Sequence, residues 1–128
     1  MIVIAPTANA AFIIGGKTID SALGFSPMDI NRYTEANPGK MAMIKFQYED
    51  VQVIFCDEIS MVGSMKLAKI NYRLQDLVDG RRKQDFMGGI SFLASGKLKY
   101  IIKINILPHF NLFDLSFNFL NGNVYKCF

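Results

Sequence analysis

The sequence predicts an α/β domain with a mainly parallel sheet flanked by helices, and three observations lead there. Short apolar runs at 1–5, 52–56 and 90–94 are rich in β-branched and aromatic residues and have the length of buried strands. Helical patterns separate them, most clearly over 60–77. No two-residue hairpin turn joins any two of the runs, so they are expected to pair in parallel through crossover connections.

The first run is followed by Ala-Pro-Thr, which turns the chain. Residues 8–14 then read as a short helix, because alanine favours it and Gly15-Gly16 stop it. Residues 18–23 form a second short helical stretch. Pro27, Asn31, Asn37, Pro38 and Gly39 make 26–40 mostly loop, and 41–48 is ambiguous between helix and strand.

The chain is organised around residues 51–77. Val51, Val53, Ile54, Phe55 and Cys56 are a buried-strand text, and Asp57 and Glu58 follow at once. From Ser60 a helical pattern places Met61, Met65, Leu67, Ala68, Ile70, Leu74 and Leu77 mostly on one stripe. Lys66, Lys69 and Arg73 share helical spacing and offer a basic surface for nucleic acid or, as the plainer reading, a solvated basic face. A polar, glycine-containing connection covers 79–89, and the third strand ends at Ser95-Gly96. Beyond it the sequence becomes dense in Asn, Phe and Leu, without clear period or caps, and its pattern does not assign it to the sheet.

Composition sets bounds on function. A chain of 128 residues with 51% hydrophobic content fits one domain with a core and excludes wholesale disorder. A net charge of +3 tolerates a phosphate-rich partner without demanding one. Cys56 and Cys127 lie too far apart, and are too few, for a disulfide framework or a zinc site, so a reducing compartment is expected. Met1 leads straight into a strand-like run, which does not read as a secretory signal. Lys99, Lys103, Pro108, His109 and Asp114 interrupt the apolar tail, so no membrane span is expected.

An acid pair directly after a buried strand is how nucleotide hydrolases present carboxylates at the carboxyl edge of a sheet. The first acid can hold the Mg²⁺ of a bound nucleotide and the second can orient or deprotonate the attacking water. The plainer alternative is that two acids end a strand and favour the positive start of the next helix. Gly15-Gly16-Lys17-Thr18 is not a phosphate loop of the Walker type. That loop needs a glycine five residues before the second glycine, where Ala11 stands, and it must leave a strand directly.

Three blocks carry a family likeness: IVIAPTANAAFIIGGKTIDSAL at 2–23, VIFCDEISMVGSMKLAKINYRLQDL at 53–77 and MGGISFLASGKL at 87–98. Together and in this order they resemble the Pif-type (petite integration frequency) ATP-dependent DNA helicases of superfamily one, including the helicase ends of Helitron transposons. The resemblance implies a partial RecA-like (P-loop NTPase) domain over 1–98, with a divergent tail over 99–128. It implies ATP as substrate, Mg²⁺ as cofactor, single-stranded DNA as partner, and five-prime to three-prime unwinding driven by ATP hydrolysis. A nuclear location follows, with the mitochondrion as the other family setting.

By motif, Asp57 matches the Mg²⁺-binding acid and Glu58 the catalytic acid. APTANAA and GGKTIDS match the motifs that touch single-stranded DNA, so Thr7, Asn9, Thr18 and Ser21 are the implied phosphate or sugar contacts. Short hydroxyl and amide side chains at loop–helix junctions suit that role, since they bind backbone without reading sequence. Thr7 and Thr18 equally suit helix capping.

The departures are specific. The family's phosphate loop is expected before Ile2. Asp20 stands where the family usually has His, which sets an acid against DNA phosphates. Lys97 replaces an acid of the third motif, Tyr100 replaces the glutamine that senses the γ-phosphate, and the proline pair is gone. The chain is therefore expected to be a helicase fragment, inactive alone. The alternative is a non-catalytic nucleic-acid-binding or interaction module that retains the sheet.

Overall fold

A computed structural model describes residues 1–26, 32–78, 84–96, 118–120 and 124–127. Four strands form the parallel part of one sheet: β1 (Ile2–Ala5), β2 (Lys17–Thr18), β3 (Val53–Cys56) and β4 (Ser91–Ser95), in spatial order β2-β1-β3-β4. The three runs expected to be parallel neighbours are so. Ile4 lies beside Cys56 across β1–β3, and Cys56 lies beside Ala94 across β3–β4. β2, which takes Thr18 from the start of the expected second helix, is a strand that the sequence did not announce. It pairs parallel with β1, Ala5 opposite Thr18.

The helices are α1 (Ala8–Ile13), α2 (Ile19–Leu23), α3 (Pro38–Tyr48) and α4 (Ser64–Leu77). The first three starts have a local cause. Thr7 Oγ1 accepts from the Ala10 N–H at 3.2 Å, Thr18 Oγ1 from Ser21 N–H at 3.2 Å, and Asn37 Oδ1 from Lys40 N–H at 2.8 Å. Asn37 with Pro38 just inside the helix resolves the ambiguous 41–48 segment as part of α3 and shortens the expected loop. Gly15, at φ +64°, ends α1 as the sequence predicts. Residues 27–31 of that loop, and 79–83 of the later connection, lie outside the described residues.

Right-handed crossovers leaving β1 and β3 in opposite directions put α1 on one face of the sheet and the other three helices on the other. The packing agrees: α4 packs against α2 and α3, while α1 packs on β1 and β2. The core fills the first of these interfaces. Ile4, Ile54, Cys56, Phe92 and Ala94 point from the sheet toward Ile70 and Leu74 of α4, Ile19 and Leu23 of α2, and Ile44 of α3. Each of the Ile, Leu and Phe side chains contributes about 1.5–3 kcal/mol on burial. On the opposite face Val3, Phe55 and Leu93 are only half-buried.

The expected stripe of α4 holds at its centre, where Ile70 and Leu74 are fully buried. It fails at its start, where Met61 and Met65 are exposed. Ile59–Met61 is instead a separate 3-10 turn, and α4 begins only after Gly63. The basic face is a correction. Lys69 and Arg73 are buried, Arg73 to 1% exposure, so only Lys66 of the three retains substantial access to solvent. The Arg73 guanidinium lies between the Phe25 and Tyr33 rings at 5.3 and 5.2 Å, and its Nη2 donates to the Thr34 carbonyl. Aromatic faces stabilise the cation where water is excluded.

A 3-10 turn at Phe86–Gly89 leads into β4 and packs tightly on α4. Met87 and Gly88 both adopt positive φ there, and the buried Asn71 side chain accepts the Met87 N–H at 2.8 Å. Two strands from the tail, β5 (Asn118–Leu120) and β6 (Val124–Cys127), extend the sheet, β6 pairing antiparallel with β4 and β5 antiparallel with β6.

Candidate functional site

All four parallel strands point their carboxyl ends to one edge of the sheet, and the expected site residues gather there. β1 connects to β2 on one side while β3 connects to β4 on the other, so the chain reverses direction between β1 and β3. In open α/β sheets ligands bind at such a switch point, outside the carboxyl ends of the strands. Asp57 follows β3 immediately, and its N–H continues the ladder by donating to the Ile4 carbonyl at 2.9 Å. Thr7 follows β1 by two residues. Thr18 ends β2 directly beside Ala5. With about 4.8 Å between neighbouring strands, the ends of β2 and β3 are roughly 10 Å apart.

The acid pair divides by backbone conformation. Asp57 is half-buried in extended continuation of β3, whereas Glu58 is exposed with φ 53° and ψ 41°. That left-handed region is costly for a side chain with a Cβ, and strained backbone of this kind concentrates at functional sites. Glu58 starts the Ile59–Met61 turn, its carbonyl accepting from Met61 N–H at 2.9 Å. Among the described residues no hydrogen bond or ion pair engages either carboxylate. Cys56, just beneath, is buried and its thiol is pushed up to about 12, first by burial and then by the Asp57 charge. It stays protonated at neutral pH and is no nucleophile.

Gly96 was not anticipated as a site residue. It follows β4, at φ +146°, and a Cβ there would lie 3.0 Å from the Ile59 nitrogen and 3.4 Å from the Glu58 backbone. The end of β4 thus presses on the turn that carries Glu58. The only sequence signal was a glycine at the end of the third block.

Thr7 and Thr18 cap α1 and α2, so the capping alternative is correct as far as it goes. Capping uses each oxygen as an acceptor and leaves the O–H free to donate. Asn9 lies in the first turn of α1, Ser21 in α2, and both are exposed. The structure therefore brings Thr7, Asn9, Thr18, Ser21, Asp57 and Glu58 to one edge. Asp20 is not left facing that edge alone, because Lys66 of α4 forms an ion pair with it. Lys97 and Tyr100 lie outside the described residues.

A divalent ion finds no ready-made cage here. Among the described residues no group of three or more His, Cys, Asp or Glu converges. One half-buried carboxylate at a strand end fits an ion that arrives with a nucleotide, since Mg²⁺ is commonly held by one or two carboxylates together with phosphate oxygens and water. No described helix is long and apolar enough to cross a membrane.

Comparison with known proteins gives the fold a context. No protein-family profile and no curated protein sequence matches the chain. Among solved structures it is similar to a Pif1 helicase from Bacteroides in complex with ADP-AlF3 and ssDNA, at 28% identity and TM-score 0.55 over 76% of this chain and 22% of that one. It is likewise similar to an unliganded Pif1 from Bacteroides sp., at 30% identity and TM-score 0.56 over 74% and 21%. The chain thus spans about a fifth of the length of these proteins. Its α/β fold, a four-stranded parallel sheet flanked by helices, is that of a Pif1-like, superfamily-one helicase.

Proposed function

We propose that the chain is part of the ATP-driven motor of a DNA helicase, supplying the acid pair and part of the single-strand track. The observation that carries this reading is the gathering of Asp57, Glu58 and the hydroxyl-bearing starts of α1 and α2 at one carboxyl edge of a Pif1-like fold. Asp57 would hold the Mg²⁺ that accompanies ATP, and that ion, when bound, neutralises charge building on the phosphates. Glu58, exposed on its left-handed turn, accepts a hydrogen bond from the attacking water and draws its proton. Thr7 and Thr18 donate their free O–H groups to strand phosphates, with Asn9 and Ser21 alongside; none of these contacts reads sequence. Unwinding in the five-prime to three-prime direction belongs to this reading as the activity of the complete motor.

A second reading, a nucleic-acid-binding module without turnover, rests on the hydroxyl-bearing starts of α1 and α2, which suit a phosphate backbone without any bound nucleotide. Phosphate release by the 128-residue chain, with and without oligodeoxythymidylate, separates the two. DNA-stimulated release supports a motor segment with residual activity, while DNA affinity without release supports the binding module. Absence of both affinity and release would remove both.

A further inference from the structure

We propose that Lys66 is a phosphate contact of the single-strand track and that Asp20 acts as its internal stand-in, occupying the ammonium until a strand phosphate takes its place. The inference rests on the nucleic-acid reading above and adds to it a residue and a regulatory contact that no motif marks. Lys66 stands in the first turn of α4, which starts at the acid-bearing edge. That turn has no acidic residue, and its N-cap, Gly63, provides no side-chain hydrogen bond. The uncapped N–H groups and the lysine therefore add positive charge at the same place, against the usual preference for anions at a helix start. A cation kept there is held for an anion rather than for the helix.

In the free protein the anion is Asp20, in the first turn of α2 between the capping Thr18 and the exposed Ser21. The pair is open to water, with side-chain exposures of 32% for Lys66 and 46% for Asp20, so it is easily exchanged. The Phe25 ring lies beneath the ammonium, 5.4 Å from Nζ to centroid. This contact does not depend on Asp20 and keeps Lys66 in position when its anionic partner changes. Asp20 therefore lowers affinity by occupying Lys66 beforehand, an effect that exists only while Lys66 is present. A purely structural brace between α2 and α4 would have the opposite consequence, since breaking it could only loosen the track.

The test is fluorescence anisotropy of labelled oligodeoxythymidylate with the full 128-residue chain, at 50 and 200 mM salt. Four forms are compared: wild type, Lys66→Gln, Asp20→Asn and the double variant. One single-strand phosphate contact adds about 0.7 to the salt slope, which over this fourfold range changes affinity by about 2.6-fold. Lys66→Gln is expected to reduce the slope by about 0.7, so that the affinity it loses is about 2.6-fold larger at 50 mM than at 200 mM. Asp20→Asn is expected to tighten binding about threefold, and the double variant to match Lys66→Gln. Tightening by Asp20→Asn that persists without Lys66 marks a diffuse charge effect and overturns the proposal. So does a folded Asp20→Asn that binds no better than wild type. Asp20→Ser provides a second variant that retains a polar side chain at the helix start; loss of fold in both identifies a structural brace and also overturns it. Wild-type binding unaffected by Lys66→Gln removes this contact and leaves the nucleic-acid reading standing, whereas no wild-type binding removes both.

Discussion

Replacing Gly88 by alanine is expected to be among the most damaging single-methyl changes this fold can receive. Gly88 sits at φ +63° in the turn before β4, where an L-residue pays about 1–2 kcal/mol in backbone strain. The added Cβ would also lie 2.6 Å from the Leu74 carbonyl oxygen and 3.0 Å from Val78 Cγ2. The first of these atoms is helix backbone and cannot swing aside, so the turn must lift from α4. Lifting it separates the Met87 N–H from Asn71 Oδ1, a buried hydrogen bond of 2.8 Å. An orphaned buried group costs about 1–3 kcal/mol. Together these give a loss of about 2–5 kcal/mol, a large share of the roughly 5–15 kcal/mol that holds a domain folded. Urea denaturation followed by circular dichroism measures it. Gly39→Ala is the control: Gly39 lies in the first turn of α3 with only Asn37 Oδ1 within reach, at 3.8 Å, and the change should be neutral or slightly stabilising. A Gly88→Ala protein within about 0.5 kcal/mol of wild type would refute the packing argument.

Three further outcomes are expected. In a complete motor containing this segment, Glu58→Gln should leave DNA binding intact and reduce ATP turnover at least about a hundredfold, while Asp57→Asn should chiefly raise the Mg²⁺ requirement; steady-state ATPase across a metal titration distinguishes them. Arg73→Ala should cost about 2–4 kcal/mol by emptying the space between the Phe25 and Tyr33 rings. Arg73→Met should cost clearly less, because it fills that space and removes the unpartnered Nε and Nη1 groups; equal losses in chemical denaturation would contradict this. Burial raises the Tyr48 hydroxyl from 10.0 to about 12 and the Cys56 thiol from 9.0 to about 12. Both pKa values are raised in the folded state, so their contribution to stability is complete below about pH 9 and is lost as pH climbs toward 12. Tyr48→Phe, which removes a buried hydroxyl without a partner, should be at least as stable at pH 7 and should flatten the alkaline decline above pH 10; a loss at neutral pH would show that the hydroxyl is needed.

The sequence by itself determined β1, β3 and β4, their parallel pairing and the place of Asp57 and Glu58 at the end of β3, because these depend on local pattern. A run such as Val53–Cys56 can satisfy its side chains only in a sheet covered by helices, and the absence of hairpin turns left parallel pairing as the simple solution. Asp57 and Glu58 were legible because a strand end fixes where its next two residues lie. Asn37 and Pro38 read locally as loop residues, yet in the fold they are the cap and first residue of α3.

Tertiary structure alone decided the rest. The spacing of Lys66, Lys69 and Arg73 describes one side of a helix but not what covers it. Only the fold places Phe25 and Tyr33 over Arg73, and so turns an expected solvated face into a buried one. Gly96 pressing on the Glu58 turn, Asn71 receiving Met87, and Asp20 paired with Lys66 each join residues at least 16 positions apart. Periodicity reports a residue's relation to its own element. The partner across the interface is set by how elements pack, and that partner decides whether a charge is free, neutralised or buried.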